Sequence, residues 1–311
     1  MNILRIFPRR TRATPDDPLA IVGENNIGPL IGMLDDIDEV HISVTWTYDL
    51  PMAERIFMAW SNHGVKVLMG GPACNDPGGE FVPGRYLKPG YTITSRGCPN
   101  RCWFCDVWKR EGDIRELEIK DGYNVLDSNL LACSDDHVRA VFAMLQRQPQ
   151  RAEFTGGLEA AILKPWHCAQ LKKIRTKRMF FAYDTPDDLE PLIQAGRMLV
   201  DAGFTTASHA LRCYVLMGYK GDTIPAAERR VDQTIKAGFF PMAMVYRDRT
   251  GYRSPDWIHA GREMAQPFLV GRRIKKVKRG PQTMPTIFDN IDSHLIQGLK
   301  DTDCDSKKER R

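Results

Sequence analysis

The sequence predicts an α/β protein built on parallel strands, and three observations predict it. Between residues 91 and 246, short apolar and aromatic runs alternate with longer stretches whose apolar residues recur at i, i+3, i+4 and i+7, the two periods that separate strand from helix. Helix-start and helix-stop residues fall between those runs. Ala-Gly-Phe recurs at 202–204 and 237–239, each time where a helix hands over to a strand. Such alternation argues for parallel pairing, although periodicity alone leaves a barrel and a doubly wound sheet equally open.

Residues 1–28 are rich in proline and charge, with weak periodicity, and read as an extended lead-in. A short helix is expected from Pro29 to Leu34. Glu39 to Thr45 alternates as a strand; Asp49-Leu-Pro51 starts a helix carrying Ala53, Ile56, Phe57 and Trp60; His63-Gly64 ends it; and Val65 to Met69 is a second strand closed by Gly70-Gly71-Pro72. This is one βαβ unit. Tyr91 to Thr94 is the next strand, and residues 106–133 read as a long irregular insertion. Ser134 caps a helix in which Val138, Val141, Phe142 and Leu145 share a face.

Arg151 to Thr155 reads as a strand ending in Gly156-Gly157, Pro165 opens a helix through Leu171 and Ile174, and Arg178 to Tyr183 is a third strand. Thr185-Pro186-Asp187-Asp188 offers a cap, a proline at the first position and two acids at the positive end of the helix dipole. That helix stops at Gly203. Leu211 to Met217, a helix from about 224 to 237, and Phe240 to Tyr246 follow, giving five strands with a sixth expected. Trp257, Ile258 and Met264 mark a helix that closes the layer. The organisation expected is 1–85 as an N-terminal extension with the βαβ segment, 86–255 as the main domain, and 256–311 as a C-terminal helix and basic tail.

With 42% hydrophobic and 27% charged residues in 311, the chain is of ordinary globular composition. No apolar run approaches the roughly 20 residues of a membrane helix; the longest, Ala237 to Tyr246, contains Gly238 and Pro241. No export signal follows the arginines at the N-terminus, so a cytoplasmic location is expected. The formal net charge of +5 is unevenly spread: Arg272 to Arg279 carries six basic residues. That stretch could touch the phosphates of a nucleic acid, but it lacks interleaved aromatics and reads equally as a solvated tail.

The chemistry is concentrated in Ser95-Arg-Gly-Cys98-Pro-Asn-Arg-Cys102-Trp-Phe-Cys105. Three thiols spaced CxxxCxxC can wrap one metal centre, with Gly97 and Pro99 supplying unusual backbone angles. Soft thiolates select zinc, copper(I) or iron–sulfur clusters. Zinc sites usually present two distant half-sites, and no second half is visible, which favours iron–sulfur. In a cubane cluster three cysteines leave one iron without a protein ligand. Cys74, Cys133, Cys168, Cys213 and Cys304 show no spacing and read as free thiols.

The loop resembles the CxxxCxφC signature of radical SAM enzymes, with aromatic Phe104 before the third cysteine. The resemblance implies a [4Fe-4S] cluster on Cys98, Cys102 and Cys105 and S-adenosylmethionine (SAM) on the open iron. It further implies a 5′-deoxyadenosyl radical that takes hydrogen from substrate, and an electron donor such as flavodoxin or ferredoxin. The fold implied, over about residues 90–250, is a partial (β/α)6 TIM-like barrel preceded by a small βαβ segment. Gly156-Gly157-Leu158-Glu159 resembles the family's GGE motif after the second strand, which meets the methionine amino group of SAM, with Leu158 as an interruption. By position in the family, Asp184 would reach the ribose hydroxyls and Arg212 the SAM carboxylate. Val215 to Thr223 resembles a Gly-rich turn near the adenine.

Arg247 and Asp248 follow the fifth strand and are expected to face substrate; His209 reads as a loop histidine and Met242/Met244 as sheet core. Residues 35–75 resemble the last third of a cobalamin-binding domain but lack a DxHxxG-like loop, so a truncated remnant packed on the barrel is expected. The substrate class suggested is a nucleic acid or modified nucleobase. A non-catalytic iron–sulfur carrier or a zinc-stabilised binding module is the alternative the residues leave open.

Overall fold

A computed structural model describes residues 1–23, 28, 36–76, 80–248 and 250–278. The helix expected at Pro29–Leu34, Cys304, Arg279 and the charged end from Asp301 lie outside the described residues. Two parallel sheets organise the chain. The first contains β1 (Ile3–Phe7), β2 (Ala20–Val22), β3 (Glu39–Ser43) and, after helix α1 (Leu50–Ser61), β4 (Lys66–Gly70), in the order β2-β1-β3-β4.

The expected βαβ unit is present as β3-α1-β4, but the extended lead-in is not: residues 3–7 and 20–22 add two strands, and β1 lies in the middle of the sheet. The alternation that would have revealed β1 is broken by Arg5. In the fold that arginine is buried, donating to the carbonyl oxygens of Gly84 and Arg85 and pairing with Asp17. Its polarity is satisfied by backbone, as burial requires. Leu4, Ile6, Val40, Ile42, Ile56 and Trp60 make this sheet's core.

The second sheet has six strands in the order β12-β11-β10-β9-β8-β5. After β5 (Tyr91–Thr92) the chain makes a small antiparallel pair, β6 (Ser95–Arg96) with β7 (Arg115–Glu116), around helix α2 (Val107–Glu111). It then returns as β8 (Asn124–Val125), followed by α3 (Asp135–Arg147), β9 (Glu153–Phe154), α4 (Pro165–Lys173), β10 (Arg178–Tyr183) and α5 (Leu189–Asp201). The run ends with β11 (Leu211–Met217), α6 (Ile224–Lys236), β12 (Phe240–Val245), α7 (Pro255–Ala265) and α8 (Pro267–Lys278). Every neighbouring pair in this sheet is parallel.

The sixth strand is β8, inside the stretch that reads as an irregular insertion. Arg151–Thr155 therefore supplies the third strand rather than the second, and Gly156-Gly157 follows the third. Around β8 only Tyr123, Val125 and Leu126 are apolar, too short a run to stand out. Because successive residues alternate faces, Val125, Phe154, Met179, Phe181 and Cys213 meet the helices in one core, and Val215 and Met217 join α6 and α7 in another. Asn124, Glu153, Arg178, Phe180 and Arg212 occupy the opposite face by register.

The repeated Ala-Gly-Phe is a helix terminator. Gly203 and Gly238 have φ of 89° and 92°. Phe204 N–H donates to Leu199 O (3.0 Å) and Gly203 N–H to Val200 O (2.8 Å); Phe239 and Gly238 repeat this with Thr234 O and Ile235 O (3.1 and 3.0 Å). These are paired Schellman bonds, and each phenylalanine is buried against the core it introduces. Gly238→Ala places a Cβ in the left-handed region and is expected to lower stability by about 1–2 kcal/mol, read from the midpoint of urea unfolding; no shift would show that the turn relaxes at no cost.

Candidate functional site

The cysteine loop is rooted by one carboxylate. Asp127, at the end of β8, is buried and accepts from Thr94 N–H (2.7 Å), Thr94 Oγ1 (2.5 Å) and Ser95 Oγ (2.8 Å) where the chain leaves β5. Burial pushes its carboxyl above the ordinary range, against the pull of those donors. Gly156 is tied to the same point: a Cβ there would lie 2.2 Å from Asp127 O. Its role is close packing on the β8 turn, whereas Gly157, with φ of 121° and nothing within 4 Å of a built Cβ, borders open space.

Above that root the loop folds back on itself. Gly97 has φ of 86° and no room for a side chain, a Cβ lying 2.1 Å from Asp113 O. Gly97 N–H donates to the buried Glu111 Oε2 (3.2 Å), Cys98 N–H to Gly112 O (3.1 Å), and Trp108 Nε1–H to Cys102 O (3.0 Å). Helix α2 and strand β7 thus hold the loop from behind. Glu111 also meets Arg110 at 2.7 Å.

Cys98, Cys102 and Cys105 are half-buried free thiols. Burial, then Cys105 and Cys98, then Asp184 and Asp188, push Cys102 up to about 11. Burial, with a smaller push from Cys98, also raises the Cys105 thiol, and a cation beside these thiols would favour their thiolates. Among the described residues no three His, Cys, Asp or Glu side chains converge as a single-ion site. A cubane places its thiolates on separate irons, and three cysteines on one loop fit that donor set.

Two of the expected SAM-contacting residues stand beside this loop. Asn129, just past β8, reaches Cys98 Sγ with Nδ2 at 3.6 Å and Glu159 Oε2 at 2.5 Å. Leu158, the interruption in the GGE-like motif, is buried in the core and donates its N–H to Phe180 O (2.8 Å), which leaves Glu159 at the loop. Asp184, past β10, is half-buried; its N–H donates to Asp188 Oδ2 (2.9 Å) and its buried Oδ1 has no partner. Burial, reinforced by the Asp188 carboxylate, pushes Asp184 up to about 7.

Aromatic rings complete the set. Phe104 packs edge-on against Trp103 at 5.3 Å, and Trp103 meets Tyr219 past β11 at 5.5 Å and Tyr246 past β12 at 5.9 Å. The turn at Gly218 is fixed by Asp222, which accepts from Gly218 N–H (2.8 Å) and pairs with buried Arg230 (2.7 Å). A Cβ on Gly218 would lie 2.8 Å from the Trp257 ring.

Other expectations are corrected. Arg212 sits near the start of β11, five residues and roughly 16 Å below its end, where its Nε–H donates to His209 O (3.2 Å) and its guanidinium lies over Phe180 and Phe240. It is too far down the strand to share a ligand with the cysteines. Asp248 folds into its own turn, accepting from Thr250 and Tyr252, and Arg247 lies over Tyr48 at 4.9 Å. The basic stretch is no tail: through Lys278 it is helix α8, packed on α6, with Arg273 paired to Asp232 at 2.6 Å.

Sequence reasoning missed Asp127, Asn129 and Glu111. A short apolar run ending in Asp-Ser-Asn was the available signal for the first two; Glu111 had none. No described helix is long and apolar enough to cross a membrane. Compared with protein-family profiles and with curated proteins, the chain finds no match.

For the iron-free protein, the folded state keeps a proton on Asp184 up to about pH 7, whereas the ordinary value is 3.8. The unfolded chain has released that proton over the window between them, so stability falls as pH rises through it. Asp184→Asn is expected to flatten that dependence in urea unfolding measured at several pH values; an unchanged slope would assign it to another group.

Proposed function

We propose that the chain is a radical SAM enzyme. The observation that carries this reading is the position of the cysteine loop: it leaves the first strand of the six-stranded sheet, touches Asn129, Tyr219 and Tyr246 past the ends of β8, β11 and β12, and has Glu159 and Asp184 past the ends of β9 and β10 nearby. Glu159 joins that set through Asn129, and Asp184 through its charge on Cys102. The C-terminal ends of parallel strands are where such sheets build active sites.

In a flat sheet the outermost strands would stand about 24 Å apart. One compact loop serving both edges supports a sheet curved as in a partial (β/α)6 barrel. A four-iron cluster on Cys98, Cys102 and Cys105 would leave one iron for SAM and supply the electron that cleaves it to methionine and a 5′-deoxyadenosyl radical. Glu159 would accept from the SAM ammonium, Asp184 would bond a ribose hydroxyl with its unpartnered oxygen, and Gly157 would leave room for the ligand. Trp103 and Phe104 would exclude water above the loop. A flavodoxin- or ferredoxin-like protein would deliver the electron.

The test is anaerobic reconstitution with iron and sulfide, reduction, addition of SAM and assay of 5′-deoxyadenosine. Wild type is expected to form it and Cys102→Ala to form none. An intact cluster without SAM cleavage, even with candidate substrates present, would favour the carrier reading. Glu159→Gln is expected to retain the iron content of wild type while weakening SAM binding about tenfold or more; unchanged SAM affinity would remove Glu159 from the site.

A further inference from the structure

Beside the cysteine loop, the two sheets bring together arginines and aromatic rings that neither the loop nor the core uses. Tyr48, past β3, carries Trp46 stacked at 6.0 Å and nearly parallel (6°) on one side and the Arg247 guanidinium at 4.9 Å. The turn after β12 presses onto the same ring, a Cβ on Gly251 lying 2.8 Å from Tyr48 Cβ. Trp46 is 46% exposed. Arg247 directly follows Tyr246, whose ring meets Trp103 of the cysteine loop at 5.9 Å. Rings and guanidinium groups therefore run from the cysteine loop to the segment that follows β3 of the N-terminal sheet.

The charges along this run are mostly of one sign. Burial and the nearby Arg247 hold the guanidinium of Arg253 below its ordinary basicity. Asp49 pairs with Arg9 at 2.8 Å and Asp248 is occupied by its own turn. Among the described residues no carboxylate pairs with Arg247 or Arg253. Gathered arginines without acids repel one another unless an anion lies among them.

We propose that this surface binds a single-stranded nucleic acid, a base stacked on the exposed Trp46, which Tyr48 backs, and phosphates on Arg247 and Arg253, and leads it to the cysteine loop. Interleaved rings and cations are what sequence-tolerant single-strand binding uses. Helix α8 has the charge without the rings. The inference deepens the proposed reaction and rests on it for the reacting centre, whereas the binding itself requires neither iron nor SAM.

Fluorescence anisotropy with labelled single strands and duplexes of mixed sequence, titrated with full-length protein across a salt series, tests it. Wild type is expected to prefer single strands, with affinity falling as salt rises. Arg247→Ala with Arg253→Ala should reduce the log–log salt slope by about 0.7 per arginine, and Trp46→Ala should weaken binding about tenfold. Lys275→Ala with Lys276→Ala on α8 should bind as wild type. Should the double alanine variant fail to fold, Trp46→Ala and the paired Arg→Lys variant, which keeps the salt slope, carry the test.

Duplex preference, no salt-dependent binding, or loss only in the α8 variant would overturn the inference. Deoxyadenosine formation without oligonucleotide binding would overturn it while leaving the radical reaction standing. Binding without SAM cleavage would support it and remove the reaction.

Discussion

The three hydrogen bonds that Thr94 and Ser95 give to Asp127 are the constraint on which the site depends. They join the exits of two neighbouring strands at the point where the cysteine loop begins, and Gly156 packs on the same turn from the next strand. Three strand ends thus meet at one buried residue, two through its carboxylate and the third through its backbone. Removing it would strand an N–H and two hydroxyls without partners, each a loss of about 1–3 kcal/mol. The loop above is then positioned by Glu111 and the backbone of Gly112, so its thiols stand on two nested supports rather than on a free turn.

Electrostatics gives the same centre a sign. Three thiols, Glu159, Asp184 and Asp188 lie around one loop, while Arg110 and Arg230 are paired with Glu111 and Asp222. A region so furnished with acids suits ligands that bring positive charge, whether metal ions, a sulfonium or an ammonium. The neighbouring surface around Tyr48 has the opposite sign. The rings of Trp103 and Tyr246 lie between the two regions.

The strand–helix alternation, the cap at Ser134, and the terminators at Gly203 and Gly238 were legible because local backbone chemistry decides them. Strand β8 was not, because a two-residue strand between a hairpin and a turn carries no period. Strand β1 was not, because Arg5 finds partners distant in sequence. Among the site residues, Cys98, Cys102, Cys105, Phe104, Glu159 and Asp184 come together, since each follows a strand end that the pattern could locate. Arg212 failed for the complementary reason: being on a strand does not say at which height along it a side chain stands.

The six-stranded sheet begins at β5 and ends at β12, and these two strands are not hydrogen-bonded to each other. What joins their ends is the edge-on and tilted contact of Trp103 with Tyr219 and Tyr246. Each such ring pair is worth about 0.5–1.5 kcal/mol, far less than a ladder of backbone bonds. Opening that contact between the ends of the first and last strands would therefore break no strand pairing.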